Sequence, residues 1–175
     1  STLNAGDSID GGAGNDTLTI TASGNIDANA DVPGAIITNV ETINVRAVTS
    51  PAAGGDNTTF NAINTTGVTS LNATNSTDSV TFTNAPAAAS IGISGNNALT
   101  LGDVNFGYAT ATTAPVINIS GGVKADAGTD ITNTGSGAAS ATINSTGEKN
   151  AVDVVTLSGS ASISAVTINA TTNLT

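Results

Sequence analysis

Residues 11 to 19 read Gly-Gly-Ala-Gly-Asn-Asp-Thr-Leu-Thr, so a glycine-rich turn leads to a carboxylate and then to an aliphatic residue. Each part of that order has a chemical reason. The glycines permit positive φ and a turn tight enough to aim carbonyl oxygens inward, Asp16 adds a hard anionic oxygen, and Leu18 points into the core of the following strand. The stretch is a complete match to the nonapeptide G-G-x-G-x-D-x-U-x of calcium-binding turns. Calcium is therefore the expected ion.

Nine residues earlier, Asp7 and Ile9 occupy the Asp and apolar positions of a degraded copy, with Gly6 beside the glycine slot. Nine residues later Asn25 takes the Asp position, but Asp27 falls where an apolar residue belongs. The repeat fades there. If each nonapeptide is half a coil, ions are shared between turns two repeats apart, which pairs Asp7 with the turn at Asn25. Asp16 then needs a partner from outside the strict repeat, and Asp27 and Asp31 are near enough in sequence to serve. With Asp10 in the same stretch, the expected calcium ligands are Asp7, Asp10, Gly12, Gly14, Asp16, Asn25, Asp27 and Asp31. A single glycine-rich match also suits a plain hairpin turn; two in-register Asp positions in an acidic chain favour the metal.

Weaker candidates lie elsewhere. Asp126 and Asp130 bracket a Gly-Thr pair and could form a second calcium loop, although solvated turn carboxylates are the expected reading. Glu41 sits in an alternating strand and is expected to face solvent, within reach of Arg46.

The elements that must position these groups are strands. Apolar residues make up 38% of the chain and aromatic residues 2%, so the core has to be built from Val, Ile, Leu and Ala. Such a core is thin, which suits a solenoid or a sandwich better than a large globule. Short runs alternate apolar with polar residues, among them 36–45, 68–73, 79–83, 90–94, 98–101, 116–120, 141–144, 154–158 and 165–169. Leu71, Val80, Ile91 and Leu101 recur about every ten residues. An Ile-Asn pair returns at 117, 143 and 168, and that even return reads as a weak internal repeat.

These features predict an all-β fold: a right-handed parallel β-solenoid (β-helix or β-roll) of short strands, with β-sandwich modules as the alternative. Ile43, Leu71, Val80, Ile91, Leu101, Ile119, Ile143, Leu157 and Ile168 are expected to stack inside. The expected organisation is a calcium-binding β-roll turn region at 1–31, a solenoid at 32–110, and at 111–175 either its continuation or a second small β module. Because the chain starts in mid-pattern, it reads as part of something longer.

The formal net charge is −10, from 13 acidic residues against Arg46, Lys124 and Lys149. Nucleic acid and anionic membrane surfaces both require clustered cations, so neither is an expected partner. Cys, Met, Trp and His are all absent, which excludes disulfides and removes the usual ligands of soft metals. Membrane insertion is not expected either, since no apolar run approaches the ~18 residues of a spanning helix and the aromatics are too few for barrel girdles. Proton-transfer chemistry on an acidic polysaccharide would draw on Arg46, Lys124, Lys149 and Tyr108, which are scattered. No enzyme is expected.

Gly11 to Leu18, followed after an insert by Ile37-Thr38-Asn39-Val40-Glu41-Thr42-Ile43-Asn44-Val45 and then by Thr/Ala/Asn-rich sequence, resembles the RTX-type proteins of bacterial surface layers and large type I-secreted adhesins. Recognisable motifs cover about residues 2 to 84; beyond them only composition matches. The resemblance implies secretion through a C-terminal signal outside these residues, an extracellular location on the bacterial cell surface, calcium-dependent folding and self-association into a lattice. Contact with cell-surface polysaccharide would fall to parts outside these residues. One perfect nonapeptide does not imply a long multi-calcium roll. The second reading is a calcium-binding accessory or adhesin domain of a large type I-secreted protein such as a protease, lipase or polysaccharide-modifying enzyme.

Overall fold

The computed structural model describes Leu3 and residues 6–23, 35–48, 57–110, 114–124, 129–134, 138–158 and 163–175, together with the backbone of 31–32. Three parallel sheets run through it. The longest has seven strands: β2 (Thr17–Ser23), β5 (Thr42–Val48), β8 (Ser70–Thr74), β10 (Ser90–Ser94), β12 (Val116–Ser120), β14 (Ser140–Thr146) and β16 (Ala165–Ala170). Facing it is a six-stranded sheet of β3 (Asp31–Val32), β6 (Asn57–Asn61), β9 (Ser79–Ala85), β11 (Val104–Tyr108), β13 (Ile131–Asn133) and β15 (Val155–Leu157). A three-stranded sheet of β1 (Ser8–Asp10), β4 (Ile36–Thr38) and β7 (Thr65–Thr66) adds a third side to the N-terminal coils.

Strands adjacent in the chain fall in different sheets, and strands adjacent in a sheet are parallel. A sandwich of hairpins would pair them antiparallel. The chain is a parallel β-solenoid.

Period-2 alternation explains why these runs pair as they do. In β5 the residues Ile43, Val45 and Ala47 are buried while Thr42, Asn44, Arg46 and Val48 are not, and β8, β12 and β14 alternate in the same way. A slip of one residue would turn every apolar side chain outward, so register is tightly specified. One inward column runs Leu18, Ile43, Leu71, Ile91, Ile117, Ile143, Ile168, with one member contributed by each coil. The Ile-Asn repeat is thus one full coil. The ten-residue spacing of Leu71, Val80 and Ile91 is half of one, since Val80 lies in the opposite sheet.

On the outer face the residue after each of these forms a second column: Thr19, Asn44, Asn72, Gly92, Asn118, Asn144, Asn169. Amide hydrogen bonds climb it, with Asn72 Nδ2 donating to Asn44 Oδ1, Asn144 to Asn118 and Asn169 to Asn144, each at 2.9 Å. Gly92 interrupts the ladder. A Cβ there would overlap Asn72 Oδ1, and the gap opens a surface cavity of about 270 Å³ lined by Asn44, Asn72, Thr74, Ser94 and Asn118.

The inner face of the six-stranded sheet contributes Phe60, Phe82 and Phe106, which stack in register and are fully buried. Phe60 and Phe82 meet edge to face with ring centroids 6.3 Å apart. Three of the four aromatic residues therefore thicken the core at one place. Of the nine expected core residues, Ile43, Leu71, Val80, Ile91, Leu101, Ile119 and Ile143 are buried and Leu157 packs partly buried against them. Ile168 does not join them. It points inward by register, but it lies on the last rung, where every residue of β16 is exposed and Ile168 itself is 59% exposed.

Leu71→Ala should cost about 2–5 kcal/mol, because a buried aliphatic side chain is lost and its cavity cannot fully collapse. In dilute solution Ile168→Ala should change stability by less than about 0.5 kcal/mol, as expected of an exposed site. Urea titration of both variants checks this. Equal losses would mean that the end rung is covered.

Candidate metal centre

The glycine-rich turn links β1 to β2 and is shaped by its neighbours as much as by its own glycines. Gly12 (φ 86°) and Gly14 (φ 133°) take backbone conformations open to glycine. Gly11 is required for another reason, since a Cβ there would overlap the Asn39 carbonyl oxygen and crowd the Asp16 Cβ. The turn therefore sits directly against the next one, Asn39–Val40–Glu41, which in turn rests on Gly67.

Backbone hydrogen bonds lock the stack. Gly11 N–H donates to Thr38 O at 3.0 Å, Asn39 N–H to Thr66 O at 3.0 Å and Thr42 N–H to Asp16 O at 3.1 Å. Thr69 and Ser70 N–H both donate to Glu41 O, at 2.9 and 3.0 Å. Asn39 holds a left-handed conformation (φ 52°), a position that Asn tolerates better than most residues.

Two acidic residues stack at this corner. Thr17 registers with Thr42, so Asp16 stacks on Glu41, and the Asp16 N–H donates to Glu41 Oε2 at 2.7 Å. Asp16 Oδ2 is buried with no hydrogen-bond partner. A buried carboxylate oxygen without a hydrogen-bond partner is a costly arrangement that a hard cation would relieve. Among the described residues, no three acidic side chains converge on one point, so further ligands would have to be backbone carbonyls of the turn or water.

Asp10 has a different task. Its Oδ1 accepts the Gly12 N–H at 3.0 Å and the Asn39 Nδ2 at 2.9 Å, tying the turn to the next coil. The Asn39 amide, and then the Gly12 N–H, hold this exposed carboxyl below its ordinary pKa. Asp7 is half-buried, and its carbonyl accepts the Ile36 N–H at 2.9 Å.

Other expected ligands fall elsewhere. Asn25 and Asp27 lie outside the described residues, as does Asp126. Asp31 opens β3 and registers with Thr59 in the six-stranded sheet, whereas the turn joins the other two sheets. The half-coil geometry expected of a β-roll is corrected by the register, because one coil at this end carries the chain from Ile9 to Ile37 or from Leu18 to Ile43, further than two nonapeptides reach. A three-sided coil needs a longer chain, so the neighbour of Asp16 comes from the Asn39–Glu41 turn.

Glu41 was expected to face solvent and is instead half-buried against Asp16. A signal for it exists in the sequence: Asp16-Thr17-Leu18 and Glu41-Thr42-Ile43 are the same acid-Thr-aliphatic element one coil apart. At the opposite corner, Asp103 N–H donates to Ser79 Oγ at 3.2 Å and Asp130 N–H to Asp103 Oδ1 at 2.9 Å. Asp130 Oδ1 is also buried without a partner.

Arg46 is exposed on β5, and Lys124 and Lys149 are exposed at corners. Tyr108 donates to Ala89 O at 3.2 Å, and burial pushes its pKa up to about 12.

No protein-family model, curated protein or solved structure matches this chain.

Because the folded pKa of Asp10 is depressed, its contribution to order in the turn is present above the ordinary carboxylate pKa and is lost as pH falls through the depressed value. Asp10→Asn keeps an acceptor oxygen for both donors. The Gly12 amide resonance should titrate in acid in the parent protein and stay flat in the variant. A titration unchanged by the substitution would assign it to another carboxylate.

Proposed function

We propose that this chain is a non-catalytic structural module of a secreted bacterial surface-layer protein, a solenoid whose N-terminal corner is rigidified by calcium. The observation that carries the reading is the stacking of Asp16 on Glu41, with Asp16 Oδ2 buried and unpartnered beside the open, glycine-built turn. Asp16 and Glu41 would hold the ion, with the carbonyls of the turn at Gly12 and Gly14 as neutral ligands. A bound calcium supplies two positive charges to a corner that has only negative ones. Asp10 would keep the turn closed through Asn39 and Gly12, and Leu18 would anchor the strand that follows.

The charge balance supports the same reading. A chain with net charge −10 and three cations repels its copies, and a bridging divalent ion removes that repulsion. Magnesium is a poor substitute because it gives up its water reluctantly.

Chelation should abolish hydrogen-exchange protection in residues 6–23, and Asp16→Ala should reproduce this locally while Asp153→Ala does not. Equal protection with and without calcium would reject the metal assignment. In electron micrographs, a purified longer protein containing this chain should form two-dimensional sheets in millimolar calcium and far fewer in magnesium. Sheets that form equally well in chelator would reject the surface-layer reading.

A further inference from the structure

The amide ladder on the outer face of the seven-stranded sheet lacks one rung, and the direction of its hydrogen bonds defines what the gap would accept. Each bonded amide donates toward the preceding coil: Asn72 to Asn44, Asn144 to Asn118 and Asn169 to Asn144. Gly92 registers between Asn72 and Asn118 and brings no side chain. Asn118 uses its Oδ1 to accept from Asn144, which turns its Nδ2 toward the missing rung. Asn72 uses its Nδ2 to donate to Asn44 and leans its Oδ1 over Gly92, where a Cβ would otherwise stand. Ser70 Oγ also donates to that oxygen, at 3.0 Å, but an amide oxygen has two lone pairs and can take a second donor. A donor and an acceptor therefore face each other across the gap.

One carboxamide per rung is the repeat of this ladder, so a gap of one rung takes one carboxamide. Its N–H would donate to Asn72 Oδ1 and its C=O would accept from Asn118 Nδ2. A trans secondary amide carries those two groups on opposite edges, as a peptide unit does within a sheet. The cavity, at about 270 Å³, has room for more than an amide, and the rest of its lining narrows the choice. Thr74, Ser94 and Ser120 line it in register, two residues further along their strands than the ladder. Among the described residues no charged side chain lines it. Such a surface suits a neutral ligand that carries hydroxyls next to its amide.

We propose that the Gly92 gap is a binding site for an N-acetylated sugar, whose acetamido group completes the ladder between Asn72 and Asn118 while its hydroxyls meet Thr74, Ser94 and Ser120. No aromatic ring lines the cavity, so binding rests on hydrogen bonds exchanged with water and is weak, with a Kd of about 1 mM or higher. The site does not rest on a metal or on the surface-layer reading.

The test is a nitrogen–proton NMR titration of the full chain, kept in millimolar calcium, with N-acetylglucosamine. The Gly92 backbone amide and the Asn118 side-chain amide should shift together and saturate. Glucose, which lacks the acetamido group, and acetamide, which lacks the hydroxyls, should each bind at least about tenfold more weakly, because each forgoes part of the hydrogen bonding. Gly92→Asn supplies the missing rung, displaces the Asn72 oxygen and should abolish the shift at Asn118. Asn118→Asp keeps an acceptor for Asn144 but turns a carboxylate oxygen toward the gap; read at Gly92, binding should fall about tenfold or more, and this variant serves if Gly92→Asn does not fold. The absence of a saturable shift with N-acetylglucosamine overturns the proposal, as does undiminished binding by either folded variant. Glucose binding equally well would reject the amide as the recognised group. Acetamide binding equally well would reject the sugar and leave an amide side chain of a protein partner as the occupant.

Discussion

Everything in this molecule depends on parallel strands keeping register from rung to rung. A chain with few aromatic residues and an aliphatic core one or two side chains deep cannot rely on large buried surfaces. It relies on repetition: each apolar side chain rests on a similar one in the coil below, and each outward amide bonds to the next amide. The Phe60–Phe82–Phe106 stack is the one place where the core is built from larger side chains. Because each rung touches mainly its neighbours, stability behaves as a sum of rung and interface terms.

Corners are where such a fold meets difficulty, because backbone groups leaving a sheet lose their ladder partners. The chain solves this repeatedly with a side-chain oxygen from an adjacent coil. Glu41 accepts the Asp16 N–H and Asp103 accepts the Asp130 N–H. Asn150, fully buried, accepts from both Gly122 and Val123 at 3.0 Å while its amide nitrogen donates to Ser145 and Thr146. Ser76 does the same, accepting from Ala47 and donating to Val45. Where the oxygen belongs to a carboxylate, structural capping and cation affinity come from the same group. That dual character is why a cation is proposed at the Asp16 corner.

The solenoid was legible because period-2 alternation and the returning Ile-Asn pair at 117, 143 and 168 both report the geometry of stacked rungs. The placement of Ile168 was not legible, because alternation tells which face a residue takes and says nothing about whether a further rung covers that face. Asp16 was singled out as a candidate through its glycine context. Glu41 was missed because it was read within its own strand, whereas its partner lies one coil away and is visible only when the acid-Thr-aliphatic elements are aligned. The expected two-nonapeptide stacking failed for a related reason: motif spacing fixes a turn, while coil length is set by how many sheets the chain must visit before returning. Asn150 and Ser76 carried no signal at all, since buried polar caps look like the many exposed Asn and Ser residues around them.

Along the inward column that begins at Leu18, the coil from Leu71 to Ile91 is visibly shorter than the coil from Ile43 to Leu71, yet the strand pairs on either side stay aligned. Most of the difference in length is absorbed outside the ladders, the described exception being a one-residue register shift where Phe106 and Tyr108 pair with Phe82 and Ala85. The strand pairs on either side therefore hold their register across corners of different length, provided that the ends return to the same two positions. Closing a longer loop costs little, since each doubling of length adds only about 0.6 kcal/mol. The rungs form a ruler, and a corner that makes no cap to its neighbours is a place at which a longer loop can be carried at a fixed height along the axis without shifting the register of the strands.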